Sequence, residues 1–121
     1  MIATANGHEK VVRILVRSGA ETNVKNYMGR SPLHFAAMYG LADIAKTLVA
    51  YGADVNVLDL ETRVSPLFLS AKIGDMVLAK ILIEAGADVN IRDSSGKTVD
   101  FYAQQNKHGD LAKFLRELRK S

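Results

Sequence analysis

The stretch Asn26-Tyr27-Met28-Gly29-Arg30-Ser31-Pro32-Leu33-His34-Phe35-Ala36-Ala37-Met38-Tyr39-Gly40, continued through Leu41 to Ala50 and closed by Gly52-Ala53-Asp54-Val55-Asn56, decides how this chain is built. Ser31-Pro32 places a side-chain oxygen at a helix N-cap and proline at the first helical position, where its missing N–H costs nothing. Leu33, Ala36 and Ala37 then share one face of a short helix that stops at Gly40, a residue suited to the left-handed conformation that closes many helices. Ile44, Ala45, Leu48 and Val49 follow the i, i+1, i+4, i+5 spacing of a second helix burying a broad stripe. Gly52 ends that helix, and Asp54-Val55-Asn56 runs extended into the next turn. The unit is a turn, a short helix, a longer helix and a loop.

Outward from this stretch the pattern recurs. Gly-Ala-acid-x-Asn stands at Gly19-Ala20-Glu21-Thr22-Asn23, Gly52-Ala53-Asp54-Val55-Asn56 and Gly86-Ala87-Asp88-Val89-Asn90, with glycines 33 and then 34 residues apart. Val11, Ile44, Leu78 and Leu111 form an independent column at spacings of 33, 34 and 33. A fixed period of this length marks a solenoid of stacked units, none of which buries its apolar face alone. Ser65-Pro66, with Leu67, Ser70, Ala71 and Gly74, repeats the first helix, and Leu78, Ala79, Leu82 and Ile83 repeat the second. The expected fold is all-α, a single α-solenoid domain of 121 residues. Its units are a partial first repeat at 1–25, a second at 26–58, a third at 59–92 with one inserted residue, and a C-terminal capping repeat at 93–121.

These motifs resemble the ankyrin-repeat family, whose pattern runs D-x-x-G-x-T-P-L-H-x-A-A-x-x-G-H, then an I-V-x-x-L-L helix and G-A-D-V-N. Asn26 to Asn56 matches it almost in full. The copies also depart from it. The third carries an extra residue in Asp59-Leu60-Glu61-Thr62-Arg63-Val64 and no turn glycine, so its finger should differ in shape, and Phe68 replaces the family histidine. In the last copy Val99-Asp100 stands for Pro-Leu, and Lys107 for the helix-ending glycine. A direct count places Asp100 on a core position, costly unless paired. A shift of one residue would bury Val99, Tyr102 and Ala103 and let Asn106 close the helix; this register is the preferred one.

Composition excludes several function classes. The absence of cysteine removes disulfides, thiolate nucleophiles and Cys-ligated zinc. No apolar run approaches the ~18–20 residues a spanning helix needs, and Met1 to Gly7 lacks the charged and apolar regions of a secretory signal. The expectation is an intracellular, cytoplasmic protein, with export to a host cell as the alternative. The three histidines are the obvious catalytic candidates, and each has a structural reading. By resemblance, His34 bonds backbone and the cap hydroxyl, while His8 and His108 occupy the family's Gly-His slot. Asp54, Asp88 and Asp93 fall where short carboxylates satisfy turn backbone. No phosphate loop, zinc-protease helix or EF-hand loop is present. No catalysis, cofactor or metal is expected.

What remains is recognition by surface. By resemblance, ankyrin arrays bind proteins through finger turns and the exposed face of the first helices, which line a concave groove. Carried over, the fingers offer Lys25, Tyr27, Met28 and Arg30; then Leu58, Leu60, Glu61 and Arg63; then Arg92, Ser94, Ser95 and Lys97. The first helices offer Asn6, Met38, Tyr39, Lys72 and Ile73. Tyr27, Met28, Met38, Tyr39, Leu58, Leu60 and Ile73 are large and apolar or amphipathic, the composition of an interface core. Leu58 and Ile73 could instead tuck between repeats. The expected partner is another protein; no nucleic acid or membrane is expected. The expected state is a monomer, or self-association through an N-terminal end that begins with Met1, Ile2, Ala3 and Ala5 and carries no polar cap. Two alternatives are a structural C-terminal end-piece of a longer array and, less favoured, nucleic-acid binding. The net charge of +3 fits the end-piece: residues 107–121 hold five positive and two negative side chains, while the other 106 balance at 11 each. Arg116 also takes the column of Val16, Val49 and Ile83, giving a polar outer face. In some hosts the family asparagine of Asp-Val-Asn is hydroxylated, which would place Asn56 and Asn90 as acceptors; a loop asparagine bonding its own backbone is the simpler account.

Overall fold

The computed structural model describes residues 25–119. Expectations on Asn6, His8, Val11, Val16, Gly19 to Asn23 and Lys120 lie outside these residues. Three helix pairs follow one another: α1 (Pro32–Met38) with α2 (Ala42–Ala50), α3 (Pro66–Ile73) with α4 (Met76–Glu84), and α5 (Val99–Gln105) with α6 (Gly109–Arg119). The first helices pack side by side, α1 on α3 and α3 on α5, and α2 packs on α4 behind them. Helices this short are marginal alone, so each depends on the neighbours it packs against.

The core is built from the columns of the repeat. Leu33, Ile44, Leu48, Leu67, Leu78, Leu82 and Leu115 are fully buried, and Ala36, Ala37, Ala45, Ala71, Ala79, Ala103 and Ala112 let the helices approach closely. Each buried leucine contributes about 2 kcal/mol by area removed from water. The edge of Tyr102 meets Phe68 at 5.0 Å between ring centres, tying α5 to α3.

The start of α1 shows what a histidine beside the cap does. Ser31 N–H donates to His34 Nδ1 (3.1 Å), the Ser31 hydroxyl lies 3.1 Å from the same atom, and His34 Nε2 reaches the Val64 carbonyl at 2.9 Å. With Nδ1 accepting, Nε2 carries the proton and the ring is neutral. Burial lowers the His34 pKa, outweighing the Val64 carbonyl that favours the charged form. In the third unit Phe68 cannot accept, and the buried Ser65 hydroxyl has no partner among the described residues.

Each finger is closed by one carboxylate or amide at its base. Asn26 Oδ1 accepts from Met28 and Arg30 N–H (2.9 and 3.0 Å), and Asp93 Oδ1 from Ser95 and Lys97 N–H (2.9 and 2.8 Å). Asp59 Oδ1 accepts from Thr62 and Val64 N–H across the longer finger (3.0 and 3.2 Å). The missing turn glycine has a direct replacement: Arg63 takes φ 58°, where Gly29 has 78° and Gly96 has 82°. That conformation costs a residue bearing Cβ roughly 1 kcal/mol.

The last unit corrects the shifted register. Thr98 is the N-cap of α5, Asn106 has an ordinary negative φ, and Lys107 takes φ 65° where Gly40 has 67° and Gly74 has 77°. The direct count therefore holds, and Asp100 occupies the position of Leu33 and Leu67. It is buried because it is paired: Arg119 Nη1 lies 2.7 Å from Asp100 Oδ1, and Arg116 Nε 3.9 Å from Oδ2. Burial alone would raise the Asp100 pKa, but the Thr98 hydrogen bond and the Arg119 guanidinium outweigh it and hold the carboxyl below its ordinary range. Val99 and Ala103 are buried in this register too, while Tyr102 is half-buried against the core.

Candidate functional site

Among the described residues the finger tips and first-helix ends carry four of the exposed large apolar side chains; Val77 on α4 (62%), Tyr51 after α2 (48%) and Phe101 on α5 (40%) are the others. Tyr27 is 90% and Leu60 71% exposed at successive finger tips, and Tyr39 is 55% and Ile73 43% exposed at the ends of α1 and α3. The first two fingers are joined, with Leu60 N–H donating to the Met28 carbonyl at 2.9 Å. Leu60 also lies back over Gly29, where an added Cβ would meet its Cγ at 2.8 Å. The tips thus form one stacked surface.

Other expected groove residues sit differently. Met38 is half-buried and packs against the core, because its flexible chain fills the seam beside α1. Met28 and Leu58 are also half-buried. Arg30 is turned to Asp59, with Nη2 and Nε each 3.5 Å from Oδ2. Asp59 itself is buried; burial would raise its pKa, but Thr62 and the finger N–H groups hold it below its ordinary range. Glu61, Arg63, Ser94 and Ser95 are exposed, and Arg92 Nη1 donates to the Gly96 carbonyl of its own turn at 2.9 Å.

Lys72, Ser95 and Lys97 meet in one recess of about 430 Å³, open to solvent, with Asp93 from the third finger and Tyr102, Gln105 and Asn106 from α5. The Tyr102 hydroxyl donates to Asp93 Oδ2. Burial and this bond push the Tyr102 phenol well above its ordinary value. Burial would raise the Asp93 pKa, but the Tyr102 hydroxyl and the finger N–H groups keep it below its ordinary range. The Lys97 ammonium sits 4.9 Å from the centre of the Phe101 ring, a cation–π contact that restrains its long chain. Gln105 and Asn106 escaped the sequence reading for one reason. The shifted register hid that they are the counterparts of Met38 and Tyr39; the direct count would have found them.

Several other polar residues hold turns and join units. His108 Nε2 lies 3.1 Å from the Lys72 carbonyl, joining the third and last units. Asp54 and Asp88 accept from the N–H of Asn56 and Asn90 (2.9 and 2.8 Å). Asn56 bridges to the next loop, donating to the Gly86 carbonyl (3.1 Å) and accepting from Asp88 N–H (2.8 Å). No helix among the described residues is long and apolar enough to cross a membrane.

Comparison with known proteins agrees with the repeat geometry. The family described as "Ankyrin repeats (3 copies)" matches residues 1–59, and "Ankyrin repeat" matches residues 63–94. A probable E3 ubiquitin-protein ligase of Oryza sativa subsp. japonica is 39% identical over 57 residues, 47% of this chain and 12% of that protein. A putative ankyrin repeat protein of fowlpox virus is 44% identical over 61 residues, 50% of this chain and 18% of its own length. Protein phosphatase 1 regulatory subunit 12A of Mus musculus is 36% identical over 61 residues, 50% of this chain and 5% of that subunit. The matched segments span less than a fifth of these relatives, which share with this chain a repeat scaffold rather than a whole architecture. With its period, its helix pairs and both family matches in agreement, the chain belongs to the ankyrin-repeat family, whose members generally bind other proteins.

Proposed function

We propose that this chain is a protein–protein interaction module that binds its partner along the groove formed by the finger turns and the first helices. The observation that carries this reading is the display of Tyr27, Leu60, Tyr39 and Ile73 on adjacent fingers and helix ends of a scaffold with a well-buried core. Large apolar groups clustered on one face are the usual mark of an interface. The unit boundaries at 26, 59 and 93 belong to this reading, since each begins at a finger that would touch the partner. Non-catalytic action inside the cell, in the cytoplasm, completes it; His34, Asp59 and Asp93 are engaged in holding a helix start and two finger turns. The test is capture from native lysate with immobilised chain, wild type against Tyr27→Ala/Tyr39→Ala. Loss of the captured protein with unchanged helical content and melting supports the site. Equal capture by the variant overturns it.

A further inference from the structure

Charge is segregated across residues 25–97 although this stretch, with eight positive and eight negative side chains, carries no net charge. The finger and first-helix face carries Lys25, Arg30, Arg63, Lys72, Arg92 and Lys97 against Asp59, Glu61 and Asp93, six positive to three negative. The stretches 41–58 and 74–91, which hold α2, α4 and the loops behind the fingers, carry Lys46 and Lys80 against five acids, Asp43, Asp54, Asp75, Glu84 and Asp88. A sequence-neutral region thus presents a positive front and a negative rear.

The charges on the front differ in how far they are committed. Arg30 is spent on Asp59, and Arg92 is turned to its own turn carbonyl. Lys72 meets no carboxylate within ion-pair distance among the described residues. Lys97 rests on the Phe101 ring and forms no ion pair within that distance either. Both line the recess, with Ser95 and Gln105 as neutral donors at its edge. The one carboxylate there, Asp93, is occupied by the Tyr102 hydroxyl and two backbone N–H groups. Two ammonium groups without an ion pair among the described residues stand over a recess that holds one carboxylate, which leaves it one positive charge in excess and complementary to an anion, and Ile73, next to Lys72 in sequence, supplies apolar surface.

Resting on the docking reading above, we propose that the partner segment is an acidic peptide. One of its Asp or Glu carboxylates enters the recess between Lys72 and Lys97, and an apolar side chain beside that carboxylate lies toward Ile73 and Tyr39. A protein segment fits better than a nucleic acid. A phosphate backbone would meet Glu61 on the same face and would leave Tyr27, Leu60 and Ile73 in contact with charge, whereas an acidic peptide uses both kinds of surface.

The test is selection of a random peptide library displayed on phage against the folded chain at low salt, followed by synthesis of the enriched peptides. The expected result is enrichment of sequences with Asp and Glu in excess of Lys and Arg. Binding should weaken about tenfold on Lys72→Gln/Lys97→Gln, each exposed pair being worth up to ~1 kcal/mol, with melting unchanged. It should also weaken when the peptide's Glu are replaced by Gln. Enriched peptides without acidic bias that still lose binding on Tyr27→Ala/Tyr39→Ala would leave the docking face standing and overturn the acidic partner. Absence of enrichment, or enrichment indifferent to both variants, would overturn the two together. Tighter binding of a thymidine oligonucleotide than of the best acidic peptide would overturn the proposal in favour of nucleic acid.

Discussion

Replacing Asp100 by asparagine should loosen the last helix pair selectively. The carboxylate is 11% exposed and its close partner Arg119 30% exposed, with 2.7 Å between the charged atoms. Exposed pairs contribute about 0–1 kcal/mol, and removing one partner from a buried pair costs ~3–5 kcal/mol. This pair lies between those limits, because Arg119 and Arg116 can both turn toward water. The expected cost of Asp100→Asn is about 2 kcal/mol. A double-mutant cycle with Arg119→Gln, followed by urea titration, should return a coupling of about 1–2 kcal/mol. In a repeat array the loss stays near its origin, so amide exchange should accelerate in α5 and α6 and much less in α1 and α2. Asp100→Leu installs what Leu33 and Leu67 supply in the other units and should come within about 1 kcal/mol of wild type, since apolar replacement of a buried ion often costs little. The pH dependence follows from the lowered carboxyl pKa. The stabilisation is complete above the unfolded value, near 4 for aspartate. It is lost as pH falls from there through the folded value, and Asp100→Leu should flatten that acid limb. A coupling below about 0.3 kcal/mol would refute the pairing, as would exchange that speeds equally in all helices.

Other perturbations follow from the helix starts and the turns. Ser31→Ala should cost about 1 kcal/mol, whereas Ser65→Ala should cost nothing or stabilise slightly, because only Ser31 has a hydrogen-bonding neighbour; parallel thermal melts compare them. His34→Ala removes a fully buried ring that joins Ser31 to Val64 and should cost about 2–4 kcal/mol by urea titration. Burial lowers the His34 pKa, so its stabilisation is complete above the unfolded value and declines as pH falls through that value toward the folded one; His34→Phe should remove this slope below neutral pH. Arg63→Gly should raise stability by about 0.5–1 kcal/mol, since φ 58° strains arginine and not glycine; an unchanged or lower melting temperature would count against that strain. Gly74→Ala should do the reverse, because φ is 77° and the new Cβ would run into the His108 ring.

The second and third units were legible because one geometric unit recurs at a period of 33 or 34 residues and the core columns keep their chemistry across them. Leu33 and Leu67, Ser31 and Ser65, Gly40 and Gly74 each pointed to the same place in the unit. The last unit was harder, since a column comparison weighs each position alone and Asp100 fails that comparison. Its solution lies 19 residues onward at Arg119, on the facing helix, and no periodicity relates the two. The error carried into the candidate site, because the same register decides that Gln105 and Asn106 belong to the recess. Exposure was legible for the finger tips and less so for Met38 and Arg30, where a long flexible chain can turn toward the core or toward a carboxylate without changing the pattern. Charge gathered on one face is invisible to a running count for a related reason. A running count along the chain located the excess at the end, but a solenoid sorts alternate segments to opposite faces, and a neutral stretch can hold a positive front.

The extra residue in the second finger shows how such an array changes its recognition surface without losing register. Counted from the base, Val64 corresponds to Arg30 and Lys97, since Asp59 N–H donates to Val64 as Asn26 does to Arg30 and Asp93 to Lys97 (3.1, 3.0 and 2.9 Å). Arg63 then matches Gly29 and Gly96, and Thr62 matches Met28. The link between fingers obeys this count: the Met28 carbonyl accepts from Leu60 N–H, and the Thr62 carbonyl from Ser94 N–H, both at 2.9 Å. The additional residue therefore falls at Leu60-Glu61, on the exposed tip, while every bond that sets the stacking is retained. Asp59 can span the larger loop because both of its oxygens are used: Oδ1 accepts from the finger N–H groups, Oδ2 faces Arg30, and the Thr62 hydroxyl donates across the two. Stacking and display are thus governed by different atoms of the same finger, the first by its base and the second by its tip. That separation permits a segment between Tyr27 and the Lys72–Lys97 recess to lengthen and acquire a leucine and a glutamate while the core beneath it keeps its period.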